Sequence, residues 1–116
     1  MQGRHRHVFF AGDTGYYPEL FKEIGRRLGT FDLAAIPIGA YLPPYMMKFV
    51  HSTPEEALQI FSDIQAERFL AMHWGTFDLA DEPIDDPPKR LKAETYRLGL
   101  DPRRVWIMDP GETRPW

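Results

Sequence analysis

The chain has 116 residues, 43% of them hydrophobic and 27% charged, which is the composition of a single globular domain, and its formal net charge of −3 leaves no basic footprint for nucleic acid or for an anionic membrane. It has no cysteine, so disulfides are excluded, any zinc must be held by nitrogen and oxygen ligands, and a cytoplasmic location is expected. No apolar run approaches the ~20 residues of a membrane-spanning helix, and the basic start MQGRHRH is followed by too short an apolar stretch for a signal peptide.

The first strand is expected at Val8–Ala11, a short apolar and aromatic run closed by Gly12. It comes so early that the natural domain is expected to begin before Met1. A helix follows from Pro18, with Leu20, Phe21, Ile24 and Leu28 at three- and four-residue spacing and Gly29 as its stop. Phe31–Ile38 reads as the second strand, which Pro37 either ends or confines to a sheet edge. Gly39–Ser52 is a long connection rich in Pro, Tyr and Met, and its stretch Tyr41–Val50 reads as core or subunit-interface packing ahead of an acyl-chain pocket.

Thr53-Pro54-Glu55-Glu56 is a helix start with a capping residue, a first-turn proline and a capping-box glutamate, and Ala57, Leu58, Phe61 and Ile64 form its buried stripe. Arg68–Met72 is the third strand, Asp78–Pro88 an acidic proline-rich loop, and Lys89–Leu98 a third helix with Leu91, Thr95 and Leu98 on one face. Val105–Met108 is a last short strand, and Asp109–Trp116 a polar tail. The order βαβαβαβ implies an α/β sheet with helices packed on it.

Right-handed crossovers make consecutive strands parallel, and the residues past their C-terminal ends then share the sheet edge where ligands bind in such folds. Asp13 follows the first strand, His51 lies in the loop after the second, and His73 follows the third. Three residues able to hold a metal or move a proton are therefore expected at one edge. By residue type alone, Asp13 before Thr14-Gly15 is equally good turn chemistry, and either histidine could be a hydrogen-bonded loop or strand-end residue.

The segments Phe10-Ala11-Gly12-Asp13-Thr14-Gly15-Tyr16, Phe31–Tyr41 (FDLAAIPIGAY), His51 with Pro54-Glu55-Glu56-Ala57, and His73-Trp74-Gly75-Thr76-Phe77 together resemble the C-terminal half of a metallo-β-lactamase-fold hydrolase. Within that superfamily they are most similar to N-acyl-phosphatidylethanolamine phospholipase D and its bacterial relatives. The resemblance covers nearly all of 1–116. It implies half of an αββα sandwich, with helices on one sheet face. It implies that Asp13 bridges two zinc ions, that His73 binds one of them, and that His51 lies beside the metals and serves substrate or proton transfer. It also implies hydrolysis of a phospholipid-like or other phosphodiester substrate, and peripheral membrane contact in the parent enzyme.

The family's main metal motif, His-x-His-x-Asp-His, has no counterpart here. His5-Arg6-His7 is followed by Val8-Phe9 where Asp-His should stand, and reads as surface residues at a strand start. Catalytic zinc takes about three protein ligands, and Asp13 with His73 supplies two. The isolated chain is therefore expected to bind zinc weakly and turn over little unless an N-terminal half, or a second copy in a homodimer, completes the site. The alternative is a non-catalytic fragment acting as a dimeric scaffold, since a bare half-sandwich exposes its inner sheet face. A further rival, a dimeric aspartic protease built on Asp13-Thr14-Gly15, would need an almost entirely β fold, at odds with three helix patterns.

Overall fold

The computed structural model describes residues 2–3 and 5–116, with the backbone alone for Gln2 and Gly3. Its elements are β1 (Gln2–Gly3), β2 (Arg6–Phe10), α1 (Pro18–Leu28), β3 (Leu33–Pro37), α2 (Pro44–Met47), α3 (Pro54–Asp63), β4 (Phe69–Met72), α4 (Asp86–Arg97), a 3₁₀ turn at Pro102–Arg104 and β5 (Val105–Trp106). The sheet runs β1-β2-β3-β4-β5 in sequence order. β2 to β5 are all parallel, with Phe9 opposite Ala34, Ile36 opposite Ala71 and Phe69 opposite Val105, while β1 adds an antiparallel edge. Each parallel step is a crossover carrying a helix, as the alternating pattern requires.

All three long helices lie on one face. The core joins Ala34, Ile36, Ile38, Phe69 and Ala71 of that face to Phe21 of α1, to Ala57, Leu58, Ile60, Phe61 and Ile64 on and just after α3, and to Leu91 of α4. Thr53 caps α3 with both bonds of a capping box, its hydroxyl accepting from Glu56 N–H at 3.1 Å and Glu56 Oε1 accepting from Thr53 N–H at 3.1 Å. The opposite face carries Leu33, Ala35 and Pro37, which are buried by their neighbours, and Phe10, which is 71% exposed. The tail reaches this side of the molecule, where Trp116 takes the Arg6 guanidinium 5.8 Å from its ring.

Several expectations change. The short strand β1 and the four-residue helix α2 break the simple βαβαβαβ order. Pro37 ends β3, which is a central strand and not an edge. The α1 stripe is Phe21, Ile24 and Gly25, while Leu20 and Leu28 face solvent. α4 begins at Asp86, because Pro87 and Pro88 occupy its first turn, where a missing N–H costs nothing; Leu98 lies past its end and is exposed. Of the stretch Tyr41–Val50 only Tyr41 is core; Tyr45, Met46, Phe49 and Val50 are exposed. Among the described residues no helix is long and apolar enough to cross a membrane.

Candidate metal centre

Asp13 stands in the turn leaving β2, where Gly12 takes φ 65° and reverses the chain without a Cβ to obstruct it. The turn is sewn to the segment after α2. A Cβ on Gly15 would lie 2.4 Å from the Lys48 carbonyl oxygen, so only glycine permits this approach. The Ser52 hydroxyl donates to Thr14 O at 2.7 Å, and the Tyr17 hydroxyl donates to Phe49 O at 2.6 Å. These ties hold His51 close to Asp13. His73 comes directly off β4 with φ 61°, a left-handed conformation that turns its side chain back across the sheet edge.

The three side chains meet. Donor atoms of Asp13, His51 and His73 all lie within 4.8 Å of one another. His73 Nε2 is 3.5 Å from Asp13 Oδ1, and the His51 and His73 ring centroids are 5.0 Å apart at 30°. Asp13 is mostly exposed and His51 half-buried. Burial, and then the like charge His73 would carry, hold the His51 imidazole below its ordinary pKa, against a weaker opposite pull from Asp13 and Glu82. His51 Nδ1 is buried without a hydrogen-bond partner among the described residues.

This donor set fits a divalent transition metal. Two ligands on one tetrahedral zinc at ~2.0–2.1 Å stand about 3.4 Å apart, close to the Asp13–His73 separation. One carboxylate oxygen with imidazole nitrogens is the hard-to-borderline mixture zinc prefers. An orphaned buried imidazole nitrogen is the kind of atom that a metal or a substrate proton satisfies. His5 and His7 are not part of the cluster.

A cavity of about 290 Å³ opens beside it, lined by His73, Trp74, Phe77, Leu79 and Ile84 and closed below by Ala40 and Glu82. The sequence reading missed Glu82, which is buried and accepts three backbone N–H bonds. Its position in an irregular acidic loop gave no local signal for that role.

Residues 1–74 match the family described as the beta-lactamase superfamily domain, a span that contains all three site residues. The chain is 44% identical over 114 residues to the N-acyl-phosphatidylethanolamine-hydrolyzing phospholipase D 1 of Caenorhabditis elegans, covering 90% of this chain and 32% of that protein. It is 35% identical over 113 residues to a metal-dependent hydrolase of Methanopyrus kandleri, covering 97% of this chain and 43% of that protein. Among solved structures it is similar to a metallo hydrolase of Ignicoccus hospitalis, with TM-score 0.62 and 28% identity over 90% of this chain and 39% of the other. The chain thus spans between 32% and 43% of the length of these relatives. A parallel α/β sheet with helices on one face, found again in a metallo hydrolase, leaves the aspartic-protease reading without its fold. By its fold and by its sequence, the chain belongs to the metallo-β-lactamase-fold branch of the beta-lactamase superfamily.

Proposed function

We propose that this chain supplies the C-terminal share of a zinc centre that hydrolyses a phosphodiester of phospholipid type. The observation that carries the reading is the meeting of Asp13, His51 and His73 donor atoms within 4.8 Å at the C-terminal edge of a parallel sheet. The similarity to a phospholipase D that acts on N-acyl-phosphatidylethanolamine supports the substrate class, and the similarity to a metal-dependent hydrolase supports the metal.

Asp13 and His73 would hold zinc. Bound zinc lowers the pKa of its water to about 7 and polarises a phosphoryl oxygen. The residues of this chain do the rest. His51 stays neutral near pH 7 because burial disfavours its charged form, so its free nitrogen can take up a proton or orient a substrate oxygen. The cavity beside His73 receives the apolar arm of the substrate, because Trp74, Phe77, Leu79 and Ile84 line it while the Asp78 and Glu82 carboxylates repel an anion there. Exposed Tyr45, Met46, Phe49 and Val50 next to the site form the surface that would touch lipid from the cytoplasmic side. The remaining ligands come from an N-terminal half or from a second copy of the chain.

Metal analysis of the purified chain beside its Asp13→Ala and His73→Ala variants tests this. Zinc that is taken up by the parent and lost in both variants is the expected result. Zinc retained at the same level in both would show that the cluster is not the ligand set.

A further inference from the structure

Glu82 is a carboxylate only 6% exposed, on a loop without regular structure, and no Lys or Arg pairs with it among the described residues. A buried charge survives only if its lone pairs are filled. Here they are filled by three consecutive backbone donors: Ala40 N–H at 2.5 Å and Tyr41 N–H at 3.1 Å to Oε1, and Leu42 N–H at 2.9 Å to Oε2. The Asp81 N–H adds a bond to Leu42 O at 3.2 Å. This is the segment that leaves β3. On its other side it presses on His73: a Cβ at Gly39 would lie 2.1 Å from the His73 carbonyl oxygen.

The segment Gly39–Leu42 is thus held between the backbone of His73 and the carboxylate of Glu82. The two non-glycine residues nearest this junction, Ala40 and His73, both adopt left-handed backbone, with φ 64° and 61°. Such conformations persist only where the surroundings over-determine them. The chain from His73 to Glu82 has no regular structure, so its anchorage at Glu82 is what closes the loop that starts at His73.

We infer that Glu82 is a positioning residue that, by clamping the β3 exit against the His73 backbone, holds the His73 imidazole toward Asp13 and His51. It is not one of the three side chains whose donor atoms meet. The inference about metal affinity rests on the reading of Asp13 and His73 as ligands, whereas the geometric claim stands without it.

The test is Glu82→Gln in this chain, followed by nuclear magnetic resonance in the absence of metal. Glutamine puts an NH2 donor where one carboxylate oxygen stood, so at least one of the three N–H bonds is lost. The parent should show dipolar contact between the His51 and His73 rings, whose centroids are 5.0 Å apart. A folded Glu82→Gln variant should lose that contact, and its affinity for zinc alone should fall at least about tenfold, as loss of a supporting partner does at metal sites. Glu82→Asp, which keeps the charge on a shorter arm, should restore part of both. By reciprocity, saturating zinc should slow hydrogen exchange at the Ala40, Tyr41 and Leu42 amides of the unaltered chain.

An unchanged ring contact in a folded Glu82→Gln variant overturns the inference. If that variant does not fold, the exchange measurement on the parent decides, and amides indifferent to bound zinc overturn it. A parent that binds no zinc while the ring contact still depends on Glu82 would remove the ligand reading and leave the positioning role in place.

Discussion

His73 Nε2 lies 3.5 Å from the Asp13 carboxylate, yet the strands that carry these residues are not neighbours. β3 lies between β2 and β4, which places them about 9.5 Å apart at the usual strand spacing. Local backbone closes the gap: Gly12 turns left-handed before Asp13, and His73 itself is left-handed. The smallest change that should disturb this is Gly39→Ala, whose new Cβ would meet the His73 carbonyl oxygen at 2.1 Å. It is expected to cost about 1–3 kcal/mol in urea unfolding, as overpacking against unyielding backbone does, and to widen the Asp13–His73 separation in the variant's structure.

His51 should titrate below its ordinary value of 6.5 in the folded chain, because burial and then His73 disfavour its charged form. The sign for stability follows. A depressed folded-state pKa leaves the His51 contribution in place above pH 6.5, and it is lost as the pH falls through the folded value. Resonance titration of the ring protons checks the midpoint. A midpoint at or above 6.5 would contradict the burial seen here.

The Tyr16 hydroxyl donates to Asp63 Oδ2 at 2.6 Å and ties the start of α1 to the end of α3. Burial first, and Asp63 second, push the phenol up to about 12. Because the folded value is raised, the contribution is complete below pH 10 and disappears as the pH rises through about 12. Tyr16→Phe keeps the ring stacked on Phe21 at 6.2 Å and should cost about 1 kcal/mol near neutrality. The variant should also show one fewer late-titrating tyrosine in ultraviolet absorbance.

Gly25 sits in α1 where it crosses the end of α3, and a Cβ there would lie 2.1 Å from the Asp63 carbonyl oxygen. Gly→Ala in an exposed helix normally gains up to about 1 kcal/mol. At this position the clash is with backbone, which cannot swing aside, so Gly25→Ala should lower the melting temperature.

Thr53→Ala removes the capping-box hydroxyl of α3 and should cost about 1 kcal/mol in chemical denaturation. An unchanged midpoint would mean that tertiary packing, not the cap, sets the start of that helix.

What could be read along the chain was whatever rests on local chemistry. Thr53-Pro54-Glu55-Glu56 announces a helix start because the cap bonds span three residues. Asp13 and His73 announce themselves as potential ligands because an apolar run ends at each and a glycine turn follows. The fold class follows from alternation, since strand–helix–strand units close in one hand. Other features depended on neighbours far along the chain. Leu20 and Leu28 match a helical stripe as well as Phe21 does, and only the direction of approach to α3 decides that Phe21 and Gly25 face inward. Pro87 and Pro88 look like loop until the helix behind them is seen.

The sequence by itself determined the alternation of the main strands and long helices, the family resemblance and the three residues with chemistry to offer, because each is written in short-range spacing. The tertiary structure decided that donor atoms of these three lie within 4.8 Å of one another, that His51 Nδ1 has no partner among the described residues, and that Glu82 accepts the backbone N–H groups of Ala40, Tyr41 and Leu42. Those facts depend on how far β3 separates β2 from β4 and on backbone donors left over at a strand end, which no local pattern encodes.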